Sequence, residues 1–302
     1  MTSSRIEITE ATAIVRARAF VRTCGIDYVP VDLNKLLSVA KAELRVSHRL
    51  DSGQAGKTMF ANGRHLIVVN GKDTPERQRF TVLHELAHIV LELPSKHGDS
   101  LTTNALYSYS RRPPEEVICD TFAAECLIPH EFLRTDLKDA TANFVFVQTL
   151  AERYEASLPC TASRLAVNAP FACAYVLSQD GYIRFTTYSA AMRNSQFRVA
   201  PGISLPQNSI TLRCVKGADD SAGGTVPGFV WTSADNFADV DLREETRVLR
   251  TWNQALTLIS LEGGDAIDDV ASTHASYSDG DDEPLLRELD GVLPWPSGKK
   301  SK

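Results

Sequence analysis

The chain has no CxxC pair, no apolar run of membrane length and no surplus of basic residues, and each absence closes off a class of protein. Its six cysteines (Cys24, Cys119, Cys126, Cys160, Cys173 and Cys214) are scattered over 302 residues. That is too thin for a disulfide framework and suits a reducing compartment. Nowhere do about 18 apolar residues run together, so no transmembrane helix is expected. The opening MTSSRIEITEATAIVRARAFVR interrupts every apolar stretch with a charge and holds no signal-peptide h-region. The expectation is a cytoplasmic protein without a membrane partner. Net charge is −6, of which residues 263–302 supply nine acids and four bases, leaving the body near neutral. Broad phosphate binding needs an excess of Lys and Arg. The near-neutral body argues against non-specific phosphate binding, although a small local DNA contact is not excluded.

What is present is an ordinary globular composition, 43% hydrophobic and 23% charged, on a length that suggests about two domains. Residues 10–24 have helical period, with Ile14, Val15, Ala17 and Val21 on one side and Gly25 as a stop. A second helical stretch spans Val31–Ala42, and residues 43–70 resemble short strands. Arg64–Asn70 (RHLIVVN) is the clearest of these, a β-branched run between Asn-Gly turn signals. In the next segment Thr74 suits an N-cap, Pro75 the first helical position and Glu76 the positive end of the dipole. Phe80, Leu83, Ala87 and Leu91 then repeat at helical spacing until Pro94. A polar loop leads to a second long helix, Glu115–Leu127, closed by Pro129. Residues 143–168 give short helices. From Phe171 the pattern changes to strand-like pieces: CAYVL, YIRFTTY, ITLRCV and GFVW. The acidic residues 263–302 are read as largely disordered apart from Leu285–Leu289.

The first of those long helices carries His84-Glu85-Leu86-Ala87-His88, the pattern H-E-x-x-H. Spacing of i, i+4 puts both imidazoles on one helix face, so both can reach one metal ion. Glu85 beside them can take a proton from a water that the metal activates. Two histidines serving only packing or solubility is the bland alternative. It is disfavoured because they flank an apolar stripe, and burying two imidazoles and a carboxylate without a partner is costly.

A catalytic zinc site takes three protein ligands and keeps one position open. Candidates for the third ligand are Glu115, Glu116, Cys119, Asp120, Cys126, His97 and His130. Glu116 is favoured, because Glu116 and Asp120 are i, i+4 on the next helix, so that one can ligate while the other supports a histidine ring. Glu115 points about 100° away around the helix and suits a dipole-matching acid. Cys119 and Cys126 lie in an Ala-rich stretch and resemble buried small hydrophobes.

These residues resemble the ImmA/IrrE family of metallo-endopeptidases. The likeness rests on RHLIVVN, then ERQRFTVLHELAHIVLE, then EVICDTFAAECLIP, and it covers roughly residues 10–168. The resemblance implies an α+β, zincin-like metallopeptidase domain over 1–138. His84, His88 and Glu116 then match the zinc ligands, with Mn2+ as another usable ion, and Glu85 matches the general base. It further implies a helical, helix-turn-helix-like subdomain over 139–170. After it a smaller α/β domain over 171–262 is compatible with a GAF-like sensor, and an acidic tail over 263–302 ends the chain. Cys119 and Cys126 depart from the family pattern, where Ala or Leu is frequent.

The helical stretch VQTLAERYEASLPCTASRLAV has helix-turn-helix grammar, yet Ala140–Asn168 balances Arg153 and Arg164 against Glu152 and Glu155. Recognition helices bring phosphate-binding cations, so packing or partner docking is favoured over DNA contact. His97, Tyr107, Tyr109 and Arg111 lie between the metal helices, where a donor to an oxyanion is needed; none is assigned that role. His48, His65, His130 and His274 read as surface or packing residues. The expectation is a cytoplasmic zinc-dependent endopeptidase whose protein substrate is a helix-turn-helix repressor, cleavage of which turns on stress-response or mobile-element genes. Strand Leu66–Asn70 is expected to offer an edge to the substrate. The rival expectations are a DNA-binding regulator, or a module that sequesters a repressor, each with a non-catalytic metal.

Overall fold

The computed structural model describes residues 8–51, 53–61, 63–94 and 113–261. The loop residues His97, Tyr107, Tyr109 and Arg111, together with His274, Leu285–Leu289 and the acidic run beyond 262, lie outside the described residues.

Helix α1 (Glu10–Thr23) starts at Thr9, whose hydroxyl accepts from the Thr12 N–H. It stops at Gly25, with φ +63°, where the left-handed conformation favours glycine. Its buried face is Ala13, Ala17 and Val21; Val15, expected inside, is exposed. Next come α2 (Leu33–Val39) and the strands β1 (Ala42–Ser47), β2 (Gly56–Ala61) and β3 (Arg64–Asn70). These form a three-stranded sheet of order β1-β3-β2, with β1 parallel and β2 antiparallel to β3. The strand expected to present an edge, Leu66–Asn70, is thus the central one, hydrogen-bonded on both sides. Among the described residues, the free edge nearest the next helix belongs to β2.

Helix α3 (Pro75–Val90) has the expected start: the Thr74 hydroxyl accepts from the Arg77 N–H, and Pro75 opens the helix. It ends where Glu92 turns left-handed, φ 55°, and the Leu93 N–H returns to the His88 carbonyl. All residues from Thr81 to His88 are buried, because α3 packs against β2 and β3 on one side and α4 (Pro114–Leu127) on the other. Side chains such as Leu83, Leu86, Phe122 and Leu127 fill that space, each contributing about 1.5–3 kcal/mol by burial. Helix α1 packs behind α4.

Helix α5 (His130–Asp136) leads to α6 (Phe144–Tyr154) and α7 (Leu158–Asn168), joined through Glu155 in the left-handed region. Ser157 caps α7 by accepting from the Cys160 N–H. The second sheet follows: β4 (Cys173–Gln179), β5 (Tyr182–Tyr188), α8 (Ala190–Asn194), α9 (Ile210–Lys216), β6 (Ser221–Pro227), β7 (Asp241–Leu249) and β8 (Gln254–Leu261). Its order is β5-β4-β8-β7-β6, antiparallel throughout. Two expected strands are not strands. ITLRCV is helix α9, because the Ser209 hydroxyl accepts from the Leu212 N–H and caps it. GFVW forms a single 3-10 turn between β6 and β7.

The two faces of the second sheet serve different cores. Cys173, Tyr175, Leu256 and Leu258 join the core that runs through α7 into the first unit. Ala174, Val176, Ala255 and Ile259 point the other way, toward Met192 of α8 and Ile210 of α9. Alternation along each strand sends successive side chains to opposite faces. No residue of α7 is exposed.

Candidate metal centre

Helices α3 and α4 together bring three donors to one point. His84 and His88 come from α3, one turn apart, and Glu116 comes from the first turn of α4. One ligand atom from each lies within 4.8 Å of the other two, and all three residues are buried. The Nε2 atoms of His84 and His88 are 3.3 Å apart. His84 Nε2 is 3.1 Å from Glu116 Oε2, and His88 Nε2 is 3.6 Å from Glu116 Oε1. Ligands held tetrahedrally at about 2.0–2.1 Å from one ion stand about 3.3–3.4 Å apart, so the separations suit a first-row divalent metal.

Electrostatics point the same way. Asp120, one turn beyond Glu116, has its Oδ1 2.8 Å from His84 Nδ1. A carboxylate at that position keeps the proton on Nδ1 and turns the Nε2 lone pair toward the Glu116 carboxylate. Two acceptors then face each other in a dry site, an arrangement that only a proton or a cation relieves. Glu116 Oε1 is buried without a hydrogen-bond partner, which a buried carboxylate oxygen tolerates poorly. Without a metal the proton fills the gap. Burial opposes a charge on His84, but hydrogen bonds to Asp120 and Glu116 outweigh it and push its pKa up to about 10. For Glu116, burial works against ionisation; the His84 and His88 rings beside it prevail and hold its carboxyl well below the usual range. The residues present therefore fit a divalent cation.

Glu85 follows His84 on the same turn and is 1% exposed. Its Oε2 accepts a 2.7 Å hydrogen bond from the Thr58 hydroxyl of β2. No signal in the sequence marks Thr58, since its role depends on β2 folding against α3. Among the described residues, the remaining third-ligand candidates other than Asp120 lie outside the cluster. Glu115 is half-buried on α4 and outside the cluster. Cys119 and Cys126 are fully buried core residues, and burial pushes the Cys126 thiol well up, away from the thiolate a metal needs. His130 opens α5, with its ring 2.9 Å from Asn168 Oδ1. His97 lies outside the described residues. His48 packs against Gly71, where a Cβ would stand 2.6 Å from its ring, and His65 lies against the Phe60 ring, centroids 4.9 Å apart.

A buried ion cluster that the sequence did not reveal ties this site to the helices behind it. Glu125, two turns along α4 and 1% exposed, pairs with Arg18 of α1 at 3.1 Å and Arg164 of α7 at 2.8 Å. It also accepts from the His130 N–H, while Arg164 donates to the Ile128 carbonyl.

Residues 40–166 match the family model described as the IrrE N-terminal-like domain, Peptidase_M78. The radiation response metalloprotease IrrE of Deinococcus radiodurans is 26% identical over 188 residues, covering 58% of this chain and 53% of that protein. The chain thus matches about half the length of this curated relative. A solved structure of a Mycobacterium tuberculosis transcriptional regulator superposes with a TM-score of 0.55 over 86% of this chain and 82% of that one, at 11% identity. That likeness is one of fold alone. The family model covers the stretch that carries H-E-x-x-H and Glu116, so residues 40–166 are similar to the IrrE N-terminal-like metallopeptidase domain.

Proposed function

We propose that the chain is a zinc-dependent endopeptidase that cuts one specific protein in the cytoplasm, a helix-turn-helix transcriptional repressor, and so derepresses stress-response or mobile-element genes. The observation that carries this reading is the convergence of His84, His88 and Glu116 within 4.8 Å beside the buried acid Glu85. Among the described residues three protein ligands converge, the complement of a catalytic zinc, whereas a structural site is closed by four. When bound, the metal lowers the pKa of water and polarises a carbonyl. The residues supply the rest. His84, His88 and Glu116 hold the ion, Asp120 orients His84, and Glu85 accepts a proton and passes it to the leaving amine.

The edge of β2, open among the described residues, suits an extended substrate, which would pair with its main-chain groups. Gly56, Thr58 and Phe60 share the face turned toward α3. Phe60, 68% exposed, would meet a substrate side chain there. The C-terminal unit is read as a GAF-like sensor domain. The helix-turn-helix-like pair α6–α7 is read as packing, since α7 is covered and Arg164 is engaged with Glu125. Both features weigh against DNA reading by this segment.

The test compares the wild type with Glu85→Gln for metal content and for cleavage of a helix-turn-helix repressor encoded beside the gene. Both proteins should bind about one metal ion, and only the wild type should cut. Binding of the repressor without cleavage by either protein would favour sequestration. Absence of metal from both, even with zinc supplied, would sink the reading.

A further inference from the structure

The proton-accepting group of the site is held from outside the helix pair that builds the metal cluster. Thr58 sits in the middle of β2, and its hydroxyl donates to Glu85 Oε2 at 2.7 Å. Strand and helix are in close contact here: a Cβ on Gly56 would stand 2.5 Å from Thr81 Cγ2 and 3.5 Å from Glu85 Cγ. Thr58 itself is fixed by its pairing with Ile67 on the central strand β3.

We infer that Thr58 is a positioning residue for Glu85, and that substrate pairing on β2 and orientation of the base are coupled through it. A glutamate carboxylate has a broad terminal torsion, so burial alone leaves its plane undetermined. A threonine hydroxyl has one proton to give; spent on Oε2, it fixes that plane relative to the two histidines. The anchor also belongs to a strand that, among the described residues, is an edge strand pairing with β3 alone. An extended peptide added on the open side orders the strand that carries Thr58, and with it the carboxylate. The base is then aimed when a substrate is in place. Misplacing a reacting group by about 1 Å costs on the order of a hundredfold in rate.

The kinetic consequence rests on the peptidase reading; the structural one does not. The test uses the zinc-loaded full chain as wild type, Thr58→Val and Thr58→Ser. Valine keeps the shape and loses the hydroxyl, and serine keeps the hydroxyl on a smaller side chain. Crystal structures of the three should show the Glu85 carboxylate turned in the valine variant and restored in the serine variant, with metal content unchanged. With the repressor as probe, kcat of Thr58→Val should fall about ten- to a hundredfold while KM stays within about twofold, and Thr58→Ser should recover most of it. The inference is overturned if the carboxylate keeps its place in Thr58→Val, or if the serine variant is as impaired as the valine one. A wild type that cuts nothing would refute the peptidase reading, and the Glu85 displacement would still decide the positioning role.

Discussion

Removing the Asp120 carboxylate perturbs two quantities that pull metal affinity in opposite directions. Its hydrogen bond to His84 Nδ1, 2.8 Å long, orients the ring and raises the basicity of Nε2; loss of such a partner costs about 10–100-fold in affinity. The same hydrogen bond is one of the two that, against the opposing effect of burial, push the pKa of metal-free His84 up to about 10. Below that pH the site carries a proton that metal must expel, so wild-type affinity should climb by up to about tenfold per pH unit from neutrality toward 10. In Asp120→Ala the His84 pKa drops, proton competition at pH 7 weakens, and part of the loss is offset there. The expected result is a larger loss at pH 9 than at pH 7, approaching the full 10–100-fold only as the pH nears 10. A chromophoric chelator competing for zinc at the two pH values measures it. Calorimetry in buffers of different ionisation enthalpy should give about one proton released per metal at pH 7.5 for the wild type, and less for the variant. Equal losses at both pH values, or no proton release by the wild type, would refute the reasoning. The same groups set the stability of the metal-free protein. The contribution of His84, whose pKa is raised from 6.5, is complete below that value and lost as pH rises through about 10. That of Glu116, whose pKa is lowered from 4.5, is present above that value and lost on acidification. Metal-free protein should therefore melt at its highest temperature between about pH 4.5 and 6.5.

Other substitutions test the scaffold around the site. Glu125→Ala strands Arg164 in the core with only the Ile128 carbonyl; a broken buried pair costs about 3–5 kcal/mol, so thermal denaturation should occur roughly 10 °C lower. A fall under about 2 °C would mean the cluster is solvated. Gly56→Ala puts a methyl 2.5 Å from Thr81 Cγ2 and 3.1 Å from the Val68 carbonyl. It should cost about 1–3 kcal/mol in denaturant unfolding and reduce cleavage more than metal binding; unchanged stability would show that the contact relaxes freely.

The parts of the molecule that were legible in the sequence are those whose causes are local. Thr74, Pro75 and the stripe Phe80–Leu91 specify α3 within a few turns, and the i, i+4 histidines inherit their geometry from it. The pairing of Glu116 with Asp120 on α4 was equally local. What was missed depends on distant chain. ITLRCV is a short apolar run of the kind periodicity cannot assign, and the Ser209 cap decided it. SAGGTVP resembles a loop but is strand β6 because β7 pairs with it along its whole length. Leu66–Asn70 was identified as a strand, yet its central place follows from β1 and β2 both finding it. Thr58 and Glu125 gave no signal because neither has a function until β2 lies on α3 and Arg164 of α7 reaches α4.

The burial of α7 makes the C-terminal unit part of the same folding problem as the metal site. One face of the helix carries Arg164, which is bound to Glu125 on the helix that bears Glu116. Besides α5 and α6 it packs against β4, β5 and β8, and Cys173, Tyr175, Leu256 and Leu258 extend the same core across that boundary. Farther along, the Phe144 N–H at the start of α6 donates to Glu245 of β7 at 2.9 Å. Ending the chain at residue 170 would bare the apolar side of α7 and leave the start of α6 without that acceptor. Exposed apolar patches larger than a few hundred Å² favour association. The truncated chain should therefore sediment as oligomers or aggregate and melt well below the full chain, even with zinc present. A monomeric truncated chain with unchanged zinc affinity and melting temperature would show that the second sheet is an appendage and that the core stops at α7. If the truncated chain fails as expected, a change on the second sheet can reach the metal centre through α7, Arg164 and α4, which is the connection a sensor domain would need.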